Sequence, residues 1–246
     1  MRINTGYLWY NVALGKTFPA ILPFEKEALK VLATKKGKSV DFSIGEFWVD
    51  DSQKLAIILD YVLPQKTCTF YDDQHLECEI YDSRPTICRM FPITSLRAID
   101  VPEVKCAIDV VNCPSTIEIF GKSKEKHDKV VCPSGHTFSS IFGLQLQDAA
   151  MMDFYMDSAN LFINSLRKLG QVGLKSFRPN RVSRILARYE KLDFELLFKD
   201  LEGKDFRSIL KPLFLEKVRD NSTEANVKDF TGVDVDVVSS WIGKYW

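Results

Sequence analysis

The stretch CEIYDSRPTICRMFP (residues 78–92) is the part of the chain around which the fold is predicted to form. It contains Cys78 and Cys88, and Cys68 precedes it at the same interval, so that nine residues separate each cysteine from the next. Thiolates that turns bring together are the usual means by which a protein holds zinc or an iron–sulfur cluster. The spacing therefore makes these three cysteines candidate metal ligands.

The residues between the cysteines predict the turns that such a site needs. The polar run YDDQH (residues 71–75) lies between β-forming residues, which predicts a hairpin or short loop with a cysteine on each arm. Pro85 disfavours a helical conformation for Arg84. The chain is therefore expected to reverse at this point and to bring Cys88 towards the other two cysteines.

Residues 78–92 also resemble the signature C-x-I-Y-x-x-R-P-x-x-C-R-x-F-P of the zinc- or iron-chelating cysteine-cluster family, which includes relatives of flagellin lysine N-methylase. CTFY at residues 68–71 is similar to the C-x-F-L element that precedes this signature, and CPSG at residues 132–135 is similar to its later C-P-G element. The resemblance implies a site for zinc or an iron–sulfur cluster, with four thiolate ligands: Cys68, Cys78, Cys88 and Cys132.

The chain departs from this family at its start. The family opens with C-x-x-C-x-x-C-C before its first helix, whereas residues 4–19 contain no cysteine. One alternative is therefore a scaffold that has lost its metal, in which the remaining cysteines are small buried side chains. Aromatic residues would then fill the vacated space, and Trp9 or Tyr10 is expected to pack near Cys88 or Phe91.

Other residues near the signature have two interpretations each. Cys106 and Cys113 either replace the missing ligands or line a strand core, and His136 follows Cys132 at a spacing compatible with zinc. Arg84 and Arg89 flank Cys88. Their charge would lower thiol pKa values, or Arg84 would pair with an acid such as Asp82 and fasten its turn; the YDSRP sequence favours the fastening role.

The bulk composition indicates an ordinary globular protein. Lys+Arg and Asp+Glu balance at 33 each among 246 residues, so no overall field attracts nucleic acid or membrane. The N-terminal residues lack the pattern of a signal peptide, and no apolar run has the length of a membrane helix. A cytoplasmic protein without membrane contact is expected, whose six cysteines are ligands or buried thiols.

Hydrophobic periodicity predicts an α+β fold in two parts. Residues 1–138 are expected to form a cysteine-rich α+β domain, with a helix that opens at Pro23 and ends near Gly37, and a strand pair at residues 42–49 and 55–62. Residues 139–246 are expected to form an all-helical domain. Its helices are predicted at residues 145–169, from Pro179 towards Phe198, and at residues 206–218.

The function predicted from these features is metal binding without an assigned reaction. One alternative is a protein-modifying or redox enzyme similar to the flagellin methylase relatives, although the chain shows no catalytic motif. A further alternative is an adaptor for nucleic acid or protein through a basic helix that carries Arg181, Arg184 and Arg188. Those arginines are more typical of a solvated helix face, so nucleic acid is not the expected partner, and no protein partner is predicted.

Overall fold

A computed structural model describes residues 20–63, 68–75, 77–91, 93–95, 107–108, 118, 144–166, 170–171 and 184–223. The chain falls into two compact units, Met1–Cys88 with Met156–Asp205, and Arg89–Tyr155 with Phe206–Trp246. Both helices and strands occur, which agrees with the predicted α+β class. The predicted domain boundary near residue 138 lies outside the described residues and stays a prediction.

Strands and helices are each numbered in the order in which they occur along the chain. The strands are β1 (Ala20–Ile21), β2 (Ser43–Ile44), β3 (Phe47–Asp50), β4 (Leu55–Ile58), β5 (Tyr61–Val62), β6 (Tyr71–Asp72), β7 (Glu77–Cys78), β8 (Ile93–Ser95), β9 (Ala107–Ile108), β10 (Gly170–Gln171) and β11 (Glu190–Asp193). The helices are α1 (Pro23–Lys35), α2 (Thr86–Met90), α3 (Leu144–Ser165), α4 (Phe194–Glu202) and α5 (Phe206–Thr223), and a 3-10 turn spans Tyr81–Ser83.

Helix α1 begins and ends where its local sequence predicts. Pro23 occupies the first turn, and the Glu25 carboxylate accepts the N–H of Leu22 at 3.1 Å. Gly37 ends the helix with a φ of 66°, and the N–H of Lys38 closes the turn on the carbonyl of Ala33 at 2.9 Å. Leu29 and Ala33 are buried, while the adjacent Ala28 is exposed.

The two long strands predicted at residues 42–49 and 55–62 are each divided between two sheets. β3 pairs with β4, whereas β2 and β5 form a separate three-stranded sheet with β1. The chain bends at Gly45 and Asp60, where the Asp60 carboxylate accepts the N–H of Glu46 at 2.7 Å. A Cβ atom on Gly45 would lie 2.0 Å from an Asp60 carboxylate oxygen, so the bend needs glycine at this position.

The four-stranded sheet of the first unit has the order β10-β3-β4-β11. Phe47 and Val49 on β3 and Ala56 and Ile58 on β4 join the core that includes α1. Trp48 lies on the other face, and its indole N–H donates to the Asn160 side chain on α3 at 2.9 Å. Burial on both faces follows from helices on both sides.

Strand β11 corrects two predictions. It pairs in parallel with β4, from Glu190 opposite Leu55 to Asp193 opposite Ile58. The helix predicted to run from Pro179 towards Phe198 therefore ends at Leu186, and α4 is a separate helix that starts after the strand. The C-terminal part is also not all-helical, since β10 and β11 both lie within it.

In the described core of the second unit, helix α5 packs against the first half of α3. Tyr155 packs edge-on against Phe206 with ring centroids 5.2 Å apart, and Phe154 lies 5.5 Å from Phe214. Helix α5 covers the predicted residues 206–218 and continues through Pro212. An ion pair joins Arg89 to Asp148 at 2.9 Å, with both side chains largely buried.

Candidate metal centre

The predicted hairpin between the first two cysteines is confirmed. β6 and β7 are antiparallel, with Tyr71 opposite Cys78, and Cys68 lies just before β6. Asp72 shapes the turn, because its carboxylate accepts the N–H groups of Gln74 and His75 at 2.8 and 3.2 Å. An Asp that binds the backbone two and three residues on is a common way to close such a turn.

The backbone N–H groups beside two of the cysteines act on the pKa of their thiols. Those of Phe70 and Tyr71 lower the pKa of Cys68, and that of Ile80 lowers the pKa of Cys78, because an N–H dipole favours the charged form of an acid. The N–H of Tyr71 also donates to the carbonyl of Cys68 at 3.0 Å. Both loops therefore act against the effect of burial and favour the thiolate, which is the form that binds a metal.

Lys38 connects the end of α1 to both arms of this hairpin. Its ammonium group donates to the carbonyl of Thr69 at 3.1 Å and forms an ion pair with the carboxylate of Glu79. Cys68 and Cys78 themselves are partly buried against the core of the first unit. The hairpin is thus anchored next to each of its cysteines.

Arg84 fastens the turn that leads from Cys78 to Cys88, as the YDSRP sequence predicts. The contacts that fasten it are with Tyr81, and its pairing with Asp82 stays a prediction. Its Nε atom donates to the carbonyl of Tyr81 at 2.8 Å, and its guanidinium lies 3.7 Å from the centre of the Tyr81 ring. The backbone of Arg84 is extended, as Pro85 requires. Arg89 forms the ion pair with Asp148, so Arg84 is the arginine whose charge acts on the thiols.

Cys88 lies in the five-residue helix α2 and is 5% exposed. Its N–H donates to the carbonyl of Pro85 at 2.9 Å. The helix starts at Thr86, which is fully buried and donates its backbone N–H and its hydroxyl to one oxygen of Glu25, each at 2.6 Å. The start of α1 and the helix that carries Cys88 are thereby joined.

The three thiols share one electrostatic neighbourhood. Burial raises the pKa of Cys68 to about 12, and the nearby Cys78 adds to the rise. Burial also raises the pKa of Cys78, and it raises that of Cys88 well above the usual range with a further contribution from Cys68 and Cys78. Arg84 acts in the opposite direction on Cys78 and Cys88.

The structure brings Cys68, Cys78 and Cys88 into one region as free thiols. Within the described residues, no group of three or more His, Cys, Asp or Glu side chains converges at metal-binding geometry. Cys132, Cys106, Cys113 and His136 lie outside those residues, as does the predicted packing of Trp9 or Tyr10. The soft sulfur donors are of the kind that zinc and iron bind, and backbone N–H groups lower the pKa of two of them. A closed site needs further donors.

The buried carboxylate of Glu25 is a component of this region that the sequence does not predict. Its place near the start of α1 suggests only an interaction with the helix dipole. The contact to Thr86 joins residues 61 positions apart, and no local pattern reports such a pair.

Of the basic residues in the adaptor hypothesis, Arg184 and Arg188 are exposed, and Arg181 lies outside the described residues.

Residues 26–107, about a third of the chain, match the family model CxxCxxCC, described as a putative zinc- or iron-chelating domain. This match confirms the resemblance read from residues 78–92. A relation to flagellin lysine N-methylase is not shown by this match. No curated protein and no solved structure is significantly similar to the chain. Among the described helices, none is both long and apolar enough to cross a bilayer.

Proposed function

We propose that this protein binds zinc or an iron–sulfur cluster through Cys68, Cys78, Cys88 and Cys132. The observation that carries the proposal is the arrangement of the first three. They lie just before β6, on β7 and in α2, near enough for Cys68 and Cys78 to raise the pKa of Cys88, and backbone N–H groups lower the pKa of Cys68 and Cys78. The match of residues 26–107 to a zinc- or iron-chelating domain supports the same chemistry.

The chain's own groups would serve a bound metal in distinct ways. The N–H groups of Phe70, Tyr71 and Ile80 would stabilise the thiolates of Cys68 and Cys78. Arg84 would offset part of the negative charge that several thiolates accumulate. Zinc would act as a structural cross-link without redox chemistry, whereas an iron–sulfur cluster would also carry an electron.

Metal analysis of the full chain, purified without oxygen, tests this proposal. We expect stoichiometric zinc or iron, and we expect visible absorption only if the metal is an iron–sulfur cluster, since zinc is a d10 ion. Replacing Cys68, Cys78, Cys88 or Cys132 by serine should remove the metal, because a closed thiolate site requires its four donors.

Cys106→Ser and Cys113→Ser are the matched controls, since these two cysteines have no assigned position in the signature. Both variants should retain the metal. Retention of metal by all four ligand variants would contradict the proposed site, and metal-free protein from strictly anaerobic preparations would contradict the function. Loss of metal on replacing Cys106 or Cys113 would show that the ligand set includes them.

A further inference from the structure

Glu25 is a buried carboxylate whose two oxygens hold two separate parts of the first unit. One oxygen accepts the N–H of Leu22 at 3.1 Å, and the other accepts both donors of Thr86 at 2.6 Å. Glu25 is 7% exposed and Thr86 is fully buried. Hydrogen bonds between a carboxylate and buried donors are among the stronger ones, because they are short and shielded from water.

The helix that begins at Thr86 depends on such outside contacts. It has only five residues, and so short a helix gains too few internal hydrogen bonds to offset the entropy of ordering its first turn. Its first N–H group has no partner inside the helix and is satisfied by Glu25. Cys88 lies two residues beyond Thr86, less than one turn away, so a shift of Thr86 moves Cys88 as well.

We propose that Glu25 is a positioning residue for Cys88: through Thr86 it sets where this sulfur lies relative to Cys68 and Cys78. The effect of Glu25 on metal affinity rests on the proposed function. The effect of Glu25 on the placement of Cys88 is independent of that function, because the hydrogen bonds to Thr86 form in the protein without metal. Groups that hydrogen-bond behind a metal-binding side chain commonly fix its orientation without touching the metal.

Glu25→Gln tests the proposal, because glutamine has the same shape but only one acceptor oxygen. An N–H2 group would then face either Leu22 or Thr86, both of which are donors. The probe is Co²⁺, added to the reduced, full-length chain without oxygen and followed by the absorption of its thiolate bonds. We expect affinity about 10–100-fold lower than that of the unchanged chain, with an altered spectrum.

Asp60→Asn is the matched control for a general loss of stability. Asp60 is a buried carboxylate of the same unit, even less exposed than Glu25, and it accepts a loop N–H, that of Glu46, at 2.7 Å. This variant should lower the melting temperature but leave the Co²⁺ spectrum and affinity unchanged. A folded Glu25→Gln variant that binds Co²⁺ as the unchanged chain does would overturn the proposal, and so would an equal loss of affinity in Asp60→Asn.

A second measurement separates this proposal from the proposed function. If the unchanged chain binds no metal, the rate at which iodoacetamide labels Cys88 in the reduced chain reports its placement. The variant for this measurement is Thr86→Val, which removes only the hydroxyl donor and keeps the Glu25 charge, a charge that itself raises the pKa of Cys88 and so affects labelling. Thr86→Val should accelerate labelling of Cys88 but not of Cys68, and Asp60→Asn should accelerate neither selectively. Unchanged labelling of Cys88 in the folded Thr86→Val variant refutes the proposal.

Discussion

Single carboxylates shape the loops of the first unit. Asp50 accepts the N–H groups of Ser52 and Gln53, Asp60 accepts that of Glu46, and Asp72 closes the hairpin between two of the cysteines. Each of these bonds takes the place of a water molecule on a loop N–H group. In the loop between Cys68 and Cys78, the Asp72 carboxylate acts together with backbone bonds, from Tyr71 to the Cys68 carbonyl and from Glu79 to the Phe70 carbonyl.

The turn of the cysteine hairpin gives a prediction that depends on pH. The hydrogen bond to Asp72 raises the pKa of His75 above its ordinary value of 6.5, and the bond to His75 holds the pKa of Asp72 at about 2. The contribution of His75 to stability is fully present below pH 6.5 and is lost as the pH rises through its raised pKa. The contribution of Asp72 to stability is present above its ordinary pKa of 3.8 and is lost as the pH falls towards 2.

Asp72→Asn should therefore lower the pKa of His75 towards 6.5. The measurement is an NMR titration of the imidazole protons in the full chain. Asp73→Asn is the control, since the adjacent Asp73 is an exposed acid in the same turn. A His75 pKa that falls as much in the control as in Asp72→Asn would show that overall charge, and not this hydrogen bond, sets the value.

At the scale of elements, the bend between the two sheets of the first unit depends on Gly45. Gly45→Ala would place a methyl group 2.0 Å from a buried Asp60 oxygen that already binds Glu46. The expected loss is about 3 kcal/mol in the free energy of unfolding, from overpacking and a disturbed hydrogen bond. Denaturant titration of the variant and of the unchanged chain measures this loss.

Gly37→Ala separates this steric effect from backbone strain. Gly37 has a φ of 66°, but a Cβ atom there would have open space around it. Its replacement should cost only about 1 kcal/mol, the penalty for a left-handed conformation. A Gly45→Ala variant that loses no more stability than Gly37→Ala would contradict the packing argument.

The sequence predicts elements whose determinants are local. Helix α1 carries its start at Pro23 and its end at Gly37, and the hairpin of β6 and β7 carries its polar turn. Strand β11 could not be predicted in this way, because what makes residues 190–193 a strand is their pairing with β4. The spacing of apolar residues before β11 is compatible with a helix that continues, so this spacing alone predicted a helix where the structure has a strand.

The same distinction applies to the candidate site. Three cysteines and the role of Arg84 follow from one short stretch, residues 78–92 with Cys68 before them. The contact of Glu25 with Thr86 depends on the tertiary fold, since the two residues lie 61 positions apart. Contacts over such separations leave no periodic signal in a single sequence.

At the scale of the whole molecule, each compact unit is made from two separate segments of chain. In the first unit, Asp193 accepts the hydroxyl of Tyr61 and pairs with Lys26 at 3.2 Å, across 132 and 167 positions of sequence. Within the later segment, Met156–Asp205, the ring centroids of Phe162 and Phe198 lie 4.8 Å apart. The later segment thus supplies a strand, a helix and polar contacts that the earlier segment needs.

A fragment of residues 1–138 should therefore fail to fold by itself, because it lacks β11 and α4. We expect no cooperative thermal transition in circular dichroism and little dispersion of amide signals in NMR. A chain that ends at Asp205 is the control, since it retains every segment of the first unit. Cooperative unfolding of the shorter fragment would contradict this expectation and would support a domain boundary near residue 138.

The position of β11 at the edge of the sheet also has a consequence for the newly made chain. On the ribosome, β4 with its buried Ala56, Ile57 and Ile58 is complete long before its parallel neighbour exists. At typical translation rates, the 132 positions from Tyr61 to Asp193 take about 7–26 s to synthesise. During that interval an apolar strand edge is open to other chains, so a nascent chain stalled before residue 190 should recruit chaperones that bind extended apolar segments.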